Sequence, residues 1–324
     1  MKNDLLRSAA ATVVVLSGML VTAAQGQTAN KPPVSSEAAA FSGAWDLTLK
    51  TPQKDYASWL DIEERDGKPT AQMVGRWGSA RPLPSVSISG NTITFVSPKQ
   101  EEGGTRDMVF KGELAGGELS GETNGPDGGV WHWTGHRAPS LQRSGKPEWG
   151  RPIQLFNGKD LSGWKPSSDT GKQWTVKNGV LVSPGNGVEL ISRAKFEDFK
   201  LHVEFNCGPN SNSGVYLRGR YEVQIETNSA QEPPSHHTGG IYGFIAPDPE
   251  LARQSGVWQS FDITLTGRTV TVVQNGKTII ESKEIPGITG GALDSHEGLP
   301  GPIYLQGSED GQVLFRNIVV TPGK

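Results

Sequence analysis

The chain has 324 residues, a formal net charge of -3 and one cysteine, Cys207. A lone thiol cannot close an internal disulfide, so stability has to come from burial, and 34% hydrophobic content over this length supplies one large core or two ordinary ones. No basic patch is interleaved with aromatics, no basic amphipathic stretch occurs, and glycine-rich strand-to-helix turns, phosphate loops and cysteine pairs are missing. These absences exclude nucleic acid, a membrane surface, nucleotide cofactors and cysteine-held zinc as readings.

Lys2 and Arg7 precede an apolar run from Ala9 to Val21, with small residues at Ala23, Ala24 and Gly26. This is the pattern of a signal peptide over residues 1–26, cleaved between Ala23 and Gln27, and it predicts a secreted or periplasmic protein. No later segment approaches the roughly 20 apolar residues that a bilayer span needs. Residues 27–40 are small, polar and proline-containing, and read as a disordered leader.

The 42 glycines and 22 prolines punctuate short runs rich in Val, Ile, Thr, Trp and Phe, which is the signature of an all-β protein. A first β domain is expected over 41–138. Gly43 to Leu49 alternates as a half-buried strand, and further strands are expected at 59–64, 70–77, 85–88, 92–96, 106–114, 118–122 and 130–135. Gly90-Asn91 and Gly116-Gly117 mark tight turns between neighbours, so the unit is a small antiparallel barrel or sandwich. Trp131, His132 and Trp133 could line a mouth, although one tryptophan in the core and a solvated histidine account for them better. Residues 139–152, with proline, glycine and charge but no periodicity, read as a linker.

The second domain, 153–324, has the size of one β-sandwich. Asn157-Gly158, Asn178-Gly179 and Asn275-Gly276 are three turn signals, the last two at hairpin corners, and Phe199 to Phe205 alternates cleanly. Helix is expected only as a turn or two within 248–254. Two strands meet at a turn assigned to Gly219 and Arg220. Val215, Leu217, Val223 and Ile225 then face one side, with Tyr216, Arg218, Glu222, Gln224 and Glu226 on the other. From alternation alone, the wet face of an antiparallel strand accounts for that polarity better. The next segment adds His236, His237 and Tyr242 in a glycine-rich loop. Histidine titrates near neutrality and serves as acid, base or metal ligand, yet loop histidines are more often merely solvated.

Leu155-Phe156-Asn157-Gly158-x-Asp160-Leu161-x-Gly163-Trp164, the run Ser213 to Gly219, Tyr221 to Glu226, Gly239 to Gly243 and Phe315 to Ile318 together resemble the 3-keto-disaccharide hydrolase domain family. The resemblance covers the C-terminal domain only. It implies a concanavalin-like jelly-roll β-sandwich acting on 3-keto-glycosides, sugars whose C3 hydroxyl a partner dehydrogenase has oxidised. Where many relatives follow Leu305-Gln306-Gly307 with an Asp-His-Gly step, this chain has Ser308-Glu309-Asp310-Gly311. Glu309, Asp310 and His296 are the nearby groups able to substitute.

A C3 ketone acidifies the C2 hydrogen, so the chemistry needs a base, an enolate stabiliser and an acid for the leaving group. Glu222 or Glu226 with His237 is expected to do the proton work, and Arg218 or a bound divalent metal to stabilise the enolate; no cofactor beyond that possible metal is implied. Gln224, Tyr216, Gln306 and His236 are expected to contact hydroxyls, with Tyr242 and Trp258 as stacking platforms. The expected partner is a carbohydrate. The alternatives are a non-catalytic carbohydrate-binding or surface-adhesion module and a glycosidase with paired carboxylates. The sequence leaves the oligomeric state open.

Overall fold

The structure, a computed structural model, describes residues 36–226 and 229–324. The expected signal peptide and the leader up to residue 35 lie outside the described residues. The end of the leader departs from expectation, because a short helix, α1, spans Ser36–Phe41. The alanine run favours helix. Burial of Ala38 and Phe41, with a 2.8 Å hydrogen bond from Trp45 Nε1 to Phe41 O, fixes it on the first sheet.

That sheet comprises β1 (Gly43–Lys50), β2 (Asp55–Arg65), β3 (Lys68–Val74), β4 (Arg81–Pro82), β5 (Val86–Ser89), β6 (Thr92–Ser97), β7 (Met108–Ala115), β8 (Glu118–Asn124) and β9 (Val130–Arg137). The nine strands run in the order β4-β3-β2-β1-β9-β8-β7-β6-β5, all antiparallel. The alternation read in the sequence turns Trp45, Leu47, Leu49, Leu60, Ile62, Phe95, Phe110 and Trp133 into one core on the inside of the curled sheet. Trp131 and Trp133 are both buried, and Trp133 borders, with the exposed His132, a groove over β6–β9.

Residues 138–152 contain no strand, but they are strapped down. Leu141 is buried, Arg143 pairs with Glu197 and Asp198 at 2.8 and 3.0 Å, and Trp149 bridges to Gly323. The remaining strands are β10 (Ile153–Gln154), β11 (Trp164–Pro166), β12 (Thr175–Lys177), β13 (Val180–Ser183), β14 (Leu190–Phe196), β15 (Phe199–Cys207), β16 (Ser213–Leu217), β17 (Tyr221–Ile225), β18 (Gln259–Thr266), β19 (Thr269–Gln274), β20 (Lys277–Glu284), β21 (Gly301–Leu305) and β22 (Val313–Pro322). An eight-stranded sheet is ordered β12-β13-β22-β15-β18-β19-β20, with β10 also on β22. A five-stranded sheet is ordered β11-β14-β21-β16-β17. Leu201, Val203, Phe261 and Phe315 of the larger sheet share a core with Leu190, Val215, Val223 and Leu305 of the smaller, which makes a β-sandwich. The Asn178-Gly179 and Asn275-Gly276 corners hold both residues at positive φ (52° and 78°, 50° and 79°), the turn that matches strand twist. Residues 248–254 form no helix.

Both sheet systems lie in one compact unit, 34–324. Trp59 of β2 packs edge-on against Phe244 at 5.3 Å, and a Cβ on Gly287 would fall 2.2 Å from its Nε1. Beside this contact Thr48 Oγ1 meets Ser295 Oγ at 2.5 Å, and the fully buried Asp46 sits near Glu297. Burial, reinforced by the Glu297 carboxylate, pushes Asp46 up to about 9. A carboxyl protonated in the fold but ionised in the unfolded chain favours the fold at low pH. That advantage is lost as pH rises from the ordinary value of 3.8 towards about 9. Urea denaturation of Asp46→Asn at about pH 5 and about pH 9 should therefore show a flatter stability profile than the parent chain, with a gain of ~1–3 kcal/mol at the alkaline end. Parallel profiles would show that Asp46 is ionised in the fold.

Candidate functional site

Period-two alternation on β17 sends Val223 and Ile225 into the core and Glu222 and Gln224 to the opposite face. Cross-strand register sets Tyr216 of β16 opposite Glu222, Gly214 opposite Gln224, and Tyr304 of β21 opposite Tyr216. The Tyr216 and Tyr304 rings stack at 4.3 Å. Gln306 follows β21 and donates its N–H to Gly214 O at 2.9 Å. This face is not wet. Glu222 and Gln224 are 3% and 2% exposed, so their polar groups had to be desolvated, which is costly without a return.

The cover is built from the loop after β17. Gly239 N–H bonds Gln224 O at 2.8 Å, Gln224 N–H bonds Gly240 O at 3.0 Å and Tyr242 N–H bonds Glu222 O at 3.1 Å. The segment thus adds a partial strand to the exposed edge of the sheet and delivers Tyr242 beside Glu222. Glu226, one residue past β17, is half-buried; its backbone N–H bonds Thr238 Oγ1 at 3.1 Å, and Gln224 Nε2 reaches its Oε2 at 3.3 Å. Burial, then the Glu232 and Glu309 carboxylates, raise Glu226 above its ordinary value.

Glu222 is held more tightly. Its Oε2 lies 2.9 Å from Tyr216 Oη, which lies 2.8 Å from Gly290 O, while Oε1 is buried with no hydrogen-bond partner among the described residues. One phenolic hydrogen cannot serve both acceptors, and a carbonyl cannot donate. A protonated Glu222 supplies the second hydrogen and leaves the phenol free to donate to Gly290, whereas an ionised Glu222 takes the phenolic hydrogen itself. Burial favours the protonated form. It pushes Glu222 up to about 8 against the lowering effect of the Tyr216 hydrogen bond, with Glu309 and Glu226 adding to the rise. A carboxyl kept neutral near pH 7 is a ready proton donor.

Of the two histidines, the structure brings His236 to this face. Its ring stacks on Tyr242 at 4.4 Å, Nδ1 lies 2.9 Å from Glu232 Oε2, and Nε2 is buried without a partner among the described residues. His237 is occupied elsewhere: Nδ1 bonds Glu250 and Nε2 the Ser229 carbonyl, both at 2.9 Å. Burial pulls His237 down, but those bonds outweigh it and the net shift is upward.

Arg218 and Trp258 also fall away from the expected cluster. The turn centres on Arg218 and Gly219 (φ 53° and 69°), one residue earlier than expected, which takes Arg218 out of strand alternation. Its Nη2 bonds Tyr221 Oη and Gly267 O, at 2.9 and 3.0 Å. Trp258 lies under the Arg316 guanidinium at 3.9 Å, on the eight-stranded sheet. Glu222, Glu226, Gln224, Tyr216, Tyr242, Gln306 and His236 do converge. Sequence reasoning missed Tyr304 and Glu232, and also Asn212, whose Nδ2 reaches Glu309 Oε2 at 3.4 Å. Of the possible substitutes for the absent histidine, Glu309 is the one at the site. Its carboxylate, exposed like that of Asp310, helps raise Glu222, Glu226 and Tyr242, whereas His296 lies beside His136 of the first sheet.

Among the described residues no three His, Cys, Asp or Glu side chains are arranged to hold a metal ion. A groove of about 1000 Å³ runs over β6–β9, but its ionisable groups, Lys111, Glu113, Glu122 and His132, are all exposed.

A β-sandwich with desolvated carboxyls, amides and stacked phenols on one sheet face has the chemistry of a protein that grips and transforms a polyhydroxylated ligand. The chain belongs to the 3-keto-alpha-glucoside-1,2-lyase-like domain family, whose pattern matches residues 151–321, more than half of its length. It is 22% identical over 166 residues to a 3-keto-disaccharide hydrolase of Bacteroides thetaiotaomicron; the match covers 40% of this chain and 57% of that protein. Among solved structures it is similar to two candidate glycosyl hydrolases of Parabacteroides distasonis. One is 27% identical with a TM-score of 0.45, over 57% of this chain and 97% of the other. The second is 22% identical with a TM-score of 0.43, over 53% and 100%.

Gly214 leaves room for the acid, since a Cβ there would lie 2.1 Å from Glu222 Oε1. Gly214→Ala should therefore expel the carboxyl from its pocket and cost ~1–3 kcal/mol in chemical denaturation. An unchanged midpoint would mean that the Glu222 side chain does not occupy this position.

Proposed function

We propose that this protein hydrolyses 3-keto-glycosides, including 3-keto-disaccharides, by elimination followed by hydration. Family membership supports a carbohydrate-active hydrolase with a carbohydrate substrate. The observation that carries the finer reading is the pairing of a buried Glu222, whose Oε1 has no partner among the described residues, with the unpartnered Nε2 of His236 on one covered sheet face. The leader pattern from Lys2 to Gly26 supports a secreted or periplasmic site of action.

In this reaction His236 Nε2, oriented through Nδ1 by Glu232, takes the C2 hydrogen as a proton, and the C2–H electron pair becomes the enolate of the C3 ketone. Tyr242 donates to the enolate oxygen. Its phenol stays protonated because burial, then Glu222 and Glu226, raise it above its ordinary range. Collapse of the enolate breaks the C1–O bond, and Glu222 passes its proton to the departing oxygen. Tyr216 then turns its hydrogen from Gly290 to the new carboxylate. Water then adds across the C1–C2 double bond: its hydroxyl goes to C1 and its proton restores Glu222, while protonated His236 gives a proton to C2, which releases the free 3-keto sugar. Gln224, Glu226 and Gln306 are left to hold hydroxyls. Arg218 and His237, tied to other partners, take no part.

Incubation with a 3-keto-disaccharide in heavy water should give the free leaving sugar and a 3-keto sugar with deuterium at C2. Binding without either would favour the carbohydrate-binding module, the reading that the missing Asp-His-Gly step recommends. Glu222→Gln should lower kcat/KM by about 10²–10⁴-fold while circular dichroism stays unchanged; full turnover would remove Glu222 from the mechanism. Because the acid must be protonated, activity should fall above about pH 8. Tyr216→Phe, which removes a bond favouring the charged form, should move that alkaline limb upward. A limb that stays in place would assign it to another group.

A further inference from the structure

The loop joining β3 to β4, residues 75–80, comes from the first sheet yet presses on both backbone segments that flank Glu222. Gly243 follows Tyr242 at φ +72°, and a Cβ there would lie 2.4 Å from Ser79 Cβ. Gly290, whose carbonyl faces the Tyr216 hydroxyl, would put a Cβ 2.3 Å from Gly78 O and 2.8 Å from the Trp77 carbonyl carbon. Gly291 N–H donates to Arg76 O at 3.2 Å, and a Cβ there would lie 2.6 Å from Tyr216 Oη. Three glycines thus allow a loop from outside the sandwich to reach within two hydrogen bonds of the buried acid.

At the tip of this loop Trp77 is 44% exposed, unlike Trp45, Trp59, Trp131, Trp133, Trp164 and Trp174, which are all buried. Its ring is held rather than loose. Arg76 lies 3.9 Å over it, Tyr56 meets it edge-on at 6.3 Å, and Arg76 is anchored on the buried Glu102, with Nη2 2.8 Å from Glu102 O. A fixed, half-exposed indole on the loop whose backbone borders the Glu222 face offers the flat apolar surface on which the C–H face of a pyranose stacks. Hydration of a lone exposed indole would need none of this bracing.

We propose that Trp77 of the first sheet is the stacking platform for the second sugar ring of the substrate, the ring that leaves when the 3-keto-glycoside is cleaved. The inference rests on the reading of the Glu222 face as the site of that cleavage. It assigns the first sheet a share in substrate selection, with the keto ring at Glu222 and the leaving ring towards Gly290 and Trp77.

The test compares a 3-keto-disaccharide with a methyl 3-keto-glucoside, which lacks the second ring. In Trp77→Ala the ratio of kcat/KM for the disaccharide to that for the methyl glycoside should fall about 3- to 10-fold, the size of one aromatic contact, and Trp77→Phe should restore most of it. An unchanged ratio, or equal losses on both substrates, would overturn the platform while leaving the cleavage reading intact. If the parent chain cleaves neither substrate, the cleavage reading falls. Trp77 is then judged by fluorescence titration with the unoxidised disaccharide, where quenching has to be present in the parent chain and lost in Trp77→Phe.

Discussion

The hydrogen bonds that run from Glu222 through Tyr216 to Gly290 constrain most of what surrounds them. A carboxyl on the outer face of an edge strand would normally point into water, where its charge costs nothing. Here three layers keep water out: the 239–242 segment along the strand edge, the 289–291 loop over the phenol, and the loop at 75–80 behind it. Each layer approaches at backbone distance through a glycine. The carboxyl answers desolvation in the cheapest way open to it, by keeping its proton. A phenol with one hydrogen and two acceptors then becomes compatible with the geometry, because the acid contributes the missing hydrogen.

The same constraint ties the first sheet to the sandwich. A sandwich lacking that sheet would leave Gly290 and Gly243 without the Gly78 and Ser79 backbone against them, and Trp59 without Phe244 and Gly287. The interface is not a bare apolar patch. It buries Asp46 near Glu297, a group that also takes a 2.6 Å hydrogen bond from Tyr221, the residue next to Glu222. Tyr221 and Glu222, neighbours on opposite faces of β17, therefore tie Glu297 of that buried pair and the site acid to one strand.

Much of this was legible in the chain. Gly90-Asn91, Gly116-Gly117 and period-two alternation placed most strands of the first sheet, and alternation placed the face of β17, because both signals are local and strong. What failed was non-local or turned on one residue. Arg218 was assigned to the site face by counting, but a turn centred one position earlier puts it at left-handed φ, and parity ends where the strand does. The adjacent His236 and His237 cannot be told apart by sequence, since the choice depends on Glu232 and Glu250, which reach them from outside the motif. Tyr304 sits in Gly301–Leu305, buried on both faces and so without alternation. Trp77 read as the end of a strand; only the packing of Gly290 and Gly291 gives it a neighbourhood.

The departure at Ser308–Gly311 looks at first like the loss of a functional group. Its position suggests a different account. Glu309 stands at the rim with Asn212, and its charge adds to the rise at Glu222, Glu226 and Tyr242. A cation at position 309 would pull these groups down, favouring an ionised Glu222. A carboxylate there does the reverse and holds the acid and the phenol in their protonated forms. In the proposed reaction both are donors, so a carboxylate at position 309 suits the proton inventory that the mechanism uses. The base then has to come from His236, whose Nε2 is the unpartnered ring nitrogen on that face.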